Sequence, residues 1–179
     1  MKKVAVIFLI ALVPSFGFSQ SIFDKYGKMD NVGAVIINKG LIELAATIGA
    51  MSDDAEAKEF MEVASSLNEV KVFTTEDAAV SADMAKTVTK YIKSSKLEEL
   101  MEVKDKDMNV KFYVRESEKI DHVSELLMFV SGMDNVKIGN HVRPLETVLV
   151  SLTGDIDLNK IATLANTLNL PKELKEAGK

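Results

Sequence analysis

Cysteine is absent from this sequence of 179 residues. Its absence excludes disulfide bonds, thiol catalysis and a lipid anchor attached through cysteine. Small exported domains often depend on disulfides, so this chain has to be stabilised by its hydrophobic core. A chain of this length can bury such a core within a single domain.

Aromatic and cationic side chains are also scarce. The sequence has no tryptophan and only three tyrosines, which argues against a carbohydrate site built by stacking sugars on aromatic rings. Its formal net charge is −5, and Arg115 and Arg143 are its only arginines. Nucleic acid is not expected as a partner, because phosphate binding requires concentrated Lys and Arg. The nine methionines indicate an adaptable aliphatic core.

The N-terminus has the pattern of a signal peptide. Two lysines precede an apolar run at positions 4–13, Pro14 follows, and the small residues Gly17 and Ser19 have the spacing of a signal-peptidase site. This pattern predicts a signal peptide over residues 1–19, cleaved near Ser19, and a periplasmic or secreted protein. The alternative is a retained N-terminal anchor, although the run is too short to span ~30 Å of hydrocarbon. No later run approaches transmembrane length, so no transmembrane segment is expected after cleavage.

Hydrophobic periodicity predicts the element order β-α-α-β-α-β-β-α-β-α. Strands are predicted at residues 32–37, 69–74, 99–104, 109–115 and 146–152, and helices at residues 41–49, 52–67, 76–93, 117–132 and 158–168. This order predicts an α/β protein, an α+β two-layer sandwich with about five strands in a mixed sheet and helices mainly on one face. It also suggests an internal β-α-β-α repeat. Residues 20–30 are assigned to a lead-in, residues 31–170 to a single α/β domain, and residues 171–179 to a C-terminal tail.

Motifs for catalysis and cofactor binding are missing. The sequence has no G-x-S-x-G nucleophile elbow, no G-x-G-x-x-G and no G-x-x-x-x-G-K phosphate loop. We therefore predict no catalytic residue, no cofactor and no cofactor-binding residue. The acidic pairs Asp53-Asp54 and Asp105/Asp107 lack the oxygen density of a calcium loop, and the second pair is interpreted as the tip of a hairpin.

One metal site can be drawn from the sequence. If residues 117–132 are helical, Glu118, His122 and Glu125 fall at i, i+4 and i+7 on one face, and they could hold a divalent ion. The alternative is that His122 flanks the buried stripe of this helix on a solvated, charged face. His141, the second histidine, lies in a predicted turn without a neighbouring ligand.

The acidic pair in Asp155-Ile156-Asp157 has two interpretations. The D-x-D spacing is that of a metal-nucleotide motif, but the pair also falls where a strand is predicted to turn into a helix. In the second interpretation Gly154 permits the tight corner, Asp155 belongs to the turn, and Asp157 caps the helix that begins at Leu158. The missing glycine-rich βαβ start favours the structural interpretation.

Three segments resemble an exported bacterial family catalogued as domain of unknown function 4252. These are Phe23-Asp24-Lys25-Tyr26, LEELMEVKD at residues 97–105, and LTGDIDL at residues 152–158. The resemblance spans nearly the whole mature chain and implies no enzyme activity, cofactor or site residue. Many relatives look like lipoproteins, whereas this sequence lacks the cysteine that such an anchor requires.

These observations predict an exported, non-catalytic binding domain of the bacterial cell envelope. Its expected partner is another envelope protein or a second copy of the chain. Two alternatives come from other classes: a small metal-dependent hydrolase using Glu118, His122 and Glu125, or a carrier of an apolar ligand held by the methionine-rich lining.

Overall fold

The computed structural model describes residues 22–49, 51, 55–105, 108–132, 136–138, 141–143 and 146–160. Four sequence predictions lie outside these residues: the signal peptide, the Asp53-Asp54 pair, most of the last helix and the C-terminal tail. Within the described part of the chain, no helix is both long enough and apolar enough to cross a membrane.

The elements alternate less regularly than the sequence suggests. The strands are β1 (Val32–Asn38), β2 (Leu67–Thr75), β3 (Glu98–Asp105), β4 (Met108–Glu116), β5 (His122–Ser131), β6 (Val136–Ile138), β7 (His141–Arg143) and β8 (Thr147–Asp157). The helices are α1 (Lys39–Gly49), α2 (Ala55–Ser65) and α3 (Ala78–Ser95), with a short 3-10 helix at Tyr26–Lys28. A further helical turn begins at residues 158–160.

Six strands form one antiparallel sheet in the order β1-β2-β8-β5-β4-β3, and β6 and β7 form a separate hairpin. The predictions of the first strand, the first three helices, the second strand and the β3–β4 hairpin are confirmed. The predicted α+β class is confirmed, but the main sheet has six strands instead of about five, and it is antiparallel instead of mixed. The internal repeat stays a prediction.

The helix predicted at residues 117–132 is wrong, because residues 122–131 form β5. This strand is apolar on both parities, since Leu127 and Phe129 face one core and Leu126 faces the other. A strand that is covered on both faces loses its alternation of apolar and polar residues, so its apolar positions can also fit a helical spacing.

Helix α3 forms for reasons that are visible in the sequence. The carboxylate of Asp77 accepts hydrogen bonds from the N–H groups of Ala79 and Val80 at 2.8 and 3.0 Å, which caps the first turn. Buried Met84, Val88 and Tyr91 form one stripe at helical spacing. Their packing fixes α3 against the sheet.

Helices cover both faces of the sheet, which corrects the prediction that they lie mainly on one. Below α3, the first core contains Phe23, Tyr26, Phe73, Met84, Val88, Tyr91, Leu97, Tyr113, Leu127, Phe129 and Leu149. On the other face, Ile42 of α1 packs with Leu67, Val114, Val123, Leu126 and Ile156. Strand β4 is buried on both faces, because Tyr113 belongs to the first core and Val114 to the second.

Candidate functional site

The predicted metal residues do not share a helix. Glu118 is an exposed residue before β5, His122 begins that strand, and Glu125 is buried within it. The imidazole of His122 contacts Asp155, whereas the carboxylate of Glu125 contacts Tyr91 and Arg115. The helical face on which the metal prediction depended is therefore wrong. Among the described residues, no group of three His, Asp or Glu side chains is placed to hold a metal ion.

Asp155 takes part in a surface ionic cluster. Its Oδ1 lies 2.7 Å from Nδ1 of His122, and its Oδ2 accepts a hydrogen bond from the ammonium of Lys119. These two hydrogen bonds lower the pKa of the Asp155 carboxyl below its ordinary value, and the bond from Lys119 has the larger effect. The side chain was interpreted as part of a turn, but it belongs to β8 and is tied to the loop before β5. His141, predicted in a turn, begins β7.

Asp157 has the predicted role of a cap. Its Oδ1 accepts a hydrogen bond of 2.9 Å from the N–H of Asn159, at the start of the helical turn that follows β8. A carboxylate in this position satisfies a backbone donor that the helix itself leaves free. This half of the D-x-D spacing is therefore explained by local structure.

Gly154 does not form the predicted strand-to-helix corner, because β8 continues through it to Asp157. The glycine instead allows a close approach between strands. A Cβ atom at this position would meet the carbonyl oxygen of Ser66 and would lie 2.7 Å from Cα of Leu67. The register of β2 and β8 shifts between Leu67 and Glu69, directly opposite this point. Bulges bring backbone atoms together in this way, and glycine is the residue that tolerates it.

Glu125 is the centre of a buried polar network between α3 and the sheet. The hydroxyl of Tyr91 lies 2.9 Å from both carboxylate oxygens, and Nη2 of Arg115 lies 2.9 Å from Oε2. The Glu125 side chain is only 3% exposed. Burial raises the pKa of the Glu125 carboxyl, and the contacts with Tyr91 and Arg115 partly oppose that effect. The sequence pattern predicts Glu125 in a metal site and indicates neither Tyr91 nor Arg115 as its partner.

The segment Phe23-Asp24-Lys25-Tyr26, assigned to a lead-in, anchors the N-terminal part of the described chain. Phe23 packs edge-on against Tyr91 with ring centroids 4.9 Å apart. Asp24 lies 2.8 Å from the buried ammonium of Lys71, and the hydroxyl of Tyr26 donates to the carboxylate of Asp83 at 2.9 Å. Lys25 also pairs with Asp83. All four residues of the motif therefore contact residues that are distant in the sequence. The motif therefore has a structural role.

An exposed apolar surface lies at one edge of the sheet. Strand β1 has the uncharged sequence VGAVIIN, and its Val35 and Ile36 are 53% and 48% exposed. Helix α1 follows directly and leaves three apolar side chains more than half exposed: Leu41, Leu44 and Ile48. We call these five residues the β1 edge surface. The opposite edge, β3, has the charged sequence EELMEVKD.

The two sheet edges therefore differ in how they are protected. Charged side chains on an edge strand discourage pairing with another chain, and β3 has several of them. Strand β1 has none. The apolar residues of β1 occupy both parities, a pattern typical of a strand that is covered on both faces. That signal comes from an edge strand whose apolar side chains are largely exposed.

The chain was compared with family models, curated proteins and solved structures. The family model described as Domain of unknown function (DUF4252) matches residues 26–164. No curated protein and no solved structure is significantly similar to the chain. The family match covers most of the sequence, including the sheet, the network around Glu125 and the β1 edge surface. The chain therefore belongs to the DUF4252 family.

Proposed function

We propose that this protein is an exported, non-catalytic interaction domain of the bacterial cell envelope that binds a polypeptide along the β1 edge surface. The observation that carries the proposal is the uncharged outer edge of β1, with Val35 and Ile36 about half exposed on a strand that has no described neighbour on that side. The N-terminal signal-peptide pattern supports export.

An edge strand of this kind has a specific way of binding. Its outward N–H and C=O groups are available to an extended polypeptide, which adds to the sheet as a further strand. Successive side chains of β1 point to opposite faces, so Val35 and Ile36 present apolar contacts on both sides of the added strand. Main-chain hydrogen bonds then provide affinity, and these side chains provide selectivity.

The arrangement of the buried charges favours binding over catalysis. The carboxylate of Glu125 is already engaged by Tyr91 and Arg115, and the ammonium of Lys71 is engaged by Asp24 and Glu69. Groups that are paired in this way hold elements together and are less available to a substrate. The polar network therefore supports a structural role for these residues and leaves the edge as the functional surface.

A photo-reactive amino acid placed at Val35 tests the proposal. Leu100 on β3 is a matched control, because it is an apolar residue of the opposite edge strand with a similar exposure of 51%. Irradiation of intact cells is expected to cross-link the Val35 variant to a polypeptide, either another protein or a second copy, and to leave the Leu100 variant uncoupled. Absence of any cross-link at Val35, or an identical pattern at both positions, would contradict the proposal.

A further inference from the structure

We infer that the polypeptide bound by the β1 edge surface is a second copy of this chain, paired antiparallel through β1 about a two-fold axis. The inference rests on the proposed function, since it names the partner of that same surface. An antiparallel pair of identical strands joins two sheets into one, and each copy offers the other the same surface. Both α1 helices then lie on the same face of the joined sheet.

The side-chain sizes along β1 are self-complementary. In the register that pairs all seven residues of Val32–Asn38, Val35 lies opposite Val35 of the second copy. The same register places the small Ala34 opposite the large Ile36, and Gly33 opposite Ile37. Small residues thus face large ones on either side of the central Val35 pair, and directly opposite side chains are the pairs that stabilise a sheet.

The charges that flank β1 are complementary in the same register. Asp30 precedes the strand and is exposed, and Lys39 follows it directly with 60% of its side chain exposed. Antiparallel pairing brings the start of one strand to the end of the other, so Asp30 of each copy approaches Lys39 of the second. Parallel pairing would instead bring like charges together.

The overall charge of the chain points to the same surface. Two copies of an acidic chain with a formal net charge of −5 repel each other over most orientations. An uncharged strand removes that repulsion at the contact, and it offers no charge that would select a basic partner. The complement of an uncharged, apolar edge strand is another strand of the same kind, and among the described strands β1 is the edge strand with this composition.

Sedimentation of the exported, purified protein tests the inference first. The protein is expected to be a dimer, and Val35→Lys is expected to be a monomer because it places two cations at the axis. Leu100→Lys, on the opposite edge, is the control and is expected to remain a dimer. A dimer that persists in Val35→Lys would use another face and would overturn the inference.

A charge exchange tests the antiparallel register. Asp30→Lys alone and Lys39→Asp alone should each weaken the dimer about tenfold, since each replaces two exposed attractions with two repulsions. The double variant with both substitutions should recover the affinity of the original protein. Additive weakening in the double variant would overturn the two-fold antiparallel arrangement.

A single engineered cysteine provides a conservative second test, because the chain has none of its own. Val35→Cys is expected to form a covalent dimer on oxidation or with a short bis-maleimide, whereas Leu100→Cys is expected to stay monomeric under denaturing conditions. A purified monomer that does not cross-link through Cys at position 35, together with photo-cross-linking of Val35 to a different protein, would overturn the inference and leave the proposed function standing. Failure of both experiments would overturn both.

Discussion

The hydroxyl of Tyr91 on α3 lies 2.9 Å from both carboxylate oxygens of Glu125 on β5. This contact joins a helix to the middle of the sheet, and it is buried on both sides. The guanidinium of Arg115 completes the network from β4. Two predictions concern this network.

Tyr91→Phe should lower the free energy of unfolding by about 1–3 kcal/mol, because it leaves a buried carboxylate without one of its donors. Urea denaturation measures the change. Tyr113→Phe is a suitable control, since the cross-strand partner of Tyr113 is Glu99, whose side chain is 45% exposed and can be solvated by water instead. Equal losses in the two variants would show that the Tyr91–Glu125 contact has no special role.

Glu125→Gln should change how stability depends on pH. The Glu125 pKa is raised in the folded protein above its ordinary value of 4.5, so the folded state holds this proton more tightly than the unfolded state does. Its contribution to stability is therefore fully present below about pH 4.5 and is lost as pH rises through the elevated pKa. Glutamine does not titrate, so the stability of the original protein relative to Glu125→Gln should fall over that range. If the stabilities of the two proteins ran parallel over this pH range, the raised pKa of Glu125 would be contradicted.

Gly154→Ala should destabilise the fold by about 1–3 kcal/mol, because a Cβ atom would collide with the backbone of Ser66 and Leu67. Gly40→Ala is the matched control. Gly40 lies in α1, where the nearest atom to an added Cβ is Oδ1 of Asn38 at 3.5 Å, and alanine is the better helix former. Thermal unfolding should show a lower midpoint for Gly154→Ala and an equal or higher one for Gly40→Ala. Equal tolerance at the two positions would mean that the strands can separate at the bulge.

The sequence was informative where local patterns decide structure. Helix α3 follows from its apolar stripe, and the hairpin of β3 and β4 follows from two strand-like runs around a polar tip. The cap at Asp157 was predicted because capping is a local interaction. Strand β5 was missed because both of its faces are buried, and only the neighbouring strands β4 and β8 decide that it is a strand.

Long-range contacts account for the remaining errors. Nothing near Glu125 in the sequence indicates that its partners are Tyr91, 34 residues earlier, and Arg115 on the neighbouring strand β4. The same holds for Gly154, whose small size matters because of the distant Ser66. The exposure of β1 was also hidden, since a strand at the edge and a strand in the centre can share the same apolar composition.

The predicted signal peptide gives a separate test of the export proposal. If the leader is cleaved after Ser19, the intact mass of the protein recovered from the host should correspond to a chain that begins at Gln20. The protein should also fractionate with the periplasm or the medium. A chain that retains Met1 and stays in the cytoplasm would contradict export, without affecting the predictions for the fold.

Hydrogen exchange of the β1 backbone tests the central claim most directly. Amides of Val32–Asn38 that point away from β2 exchange slowly only when another strand is hydrogen-bonded to them. These amides should be protected at high protein concentration, lose protection on dilution, and lose it at every concentration in Val35→Lys. Amides of the β3 edge should not change. Rapid exchange of β1 that is the same at all concentrations and in both proteins would contradict binding through this edge.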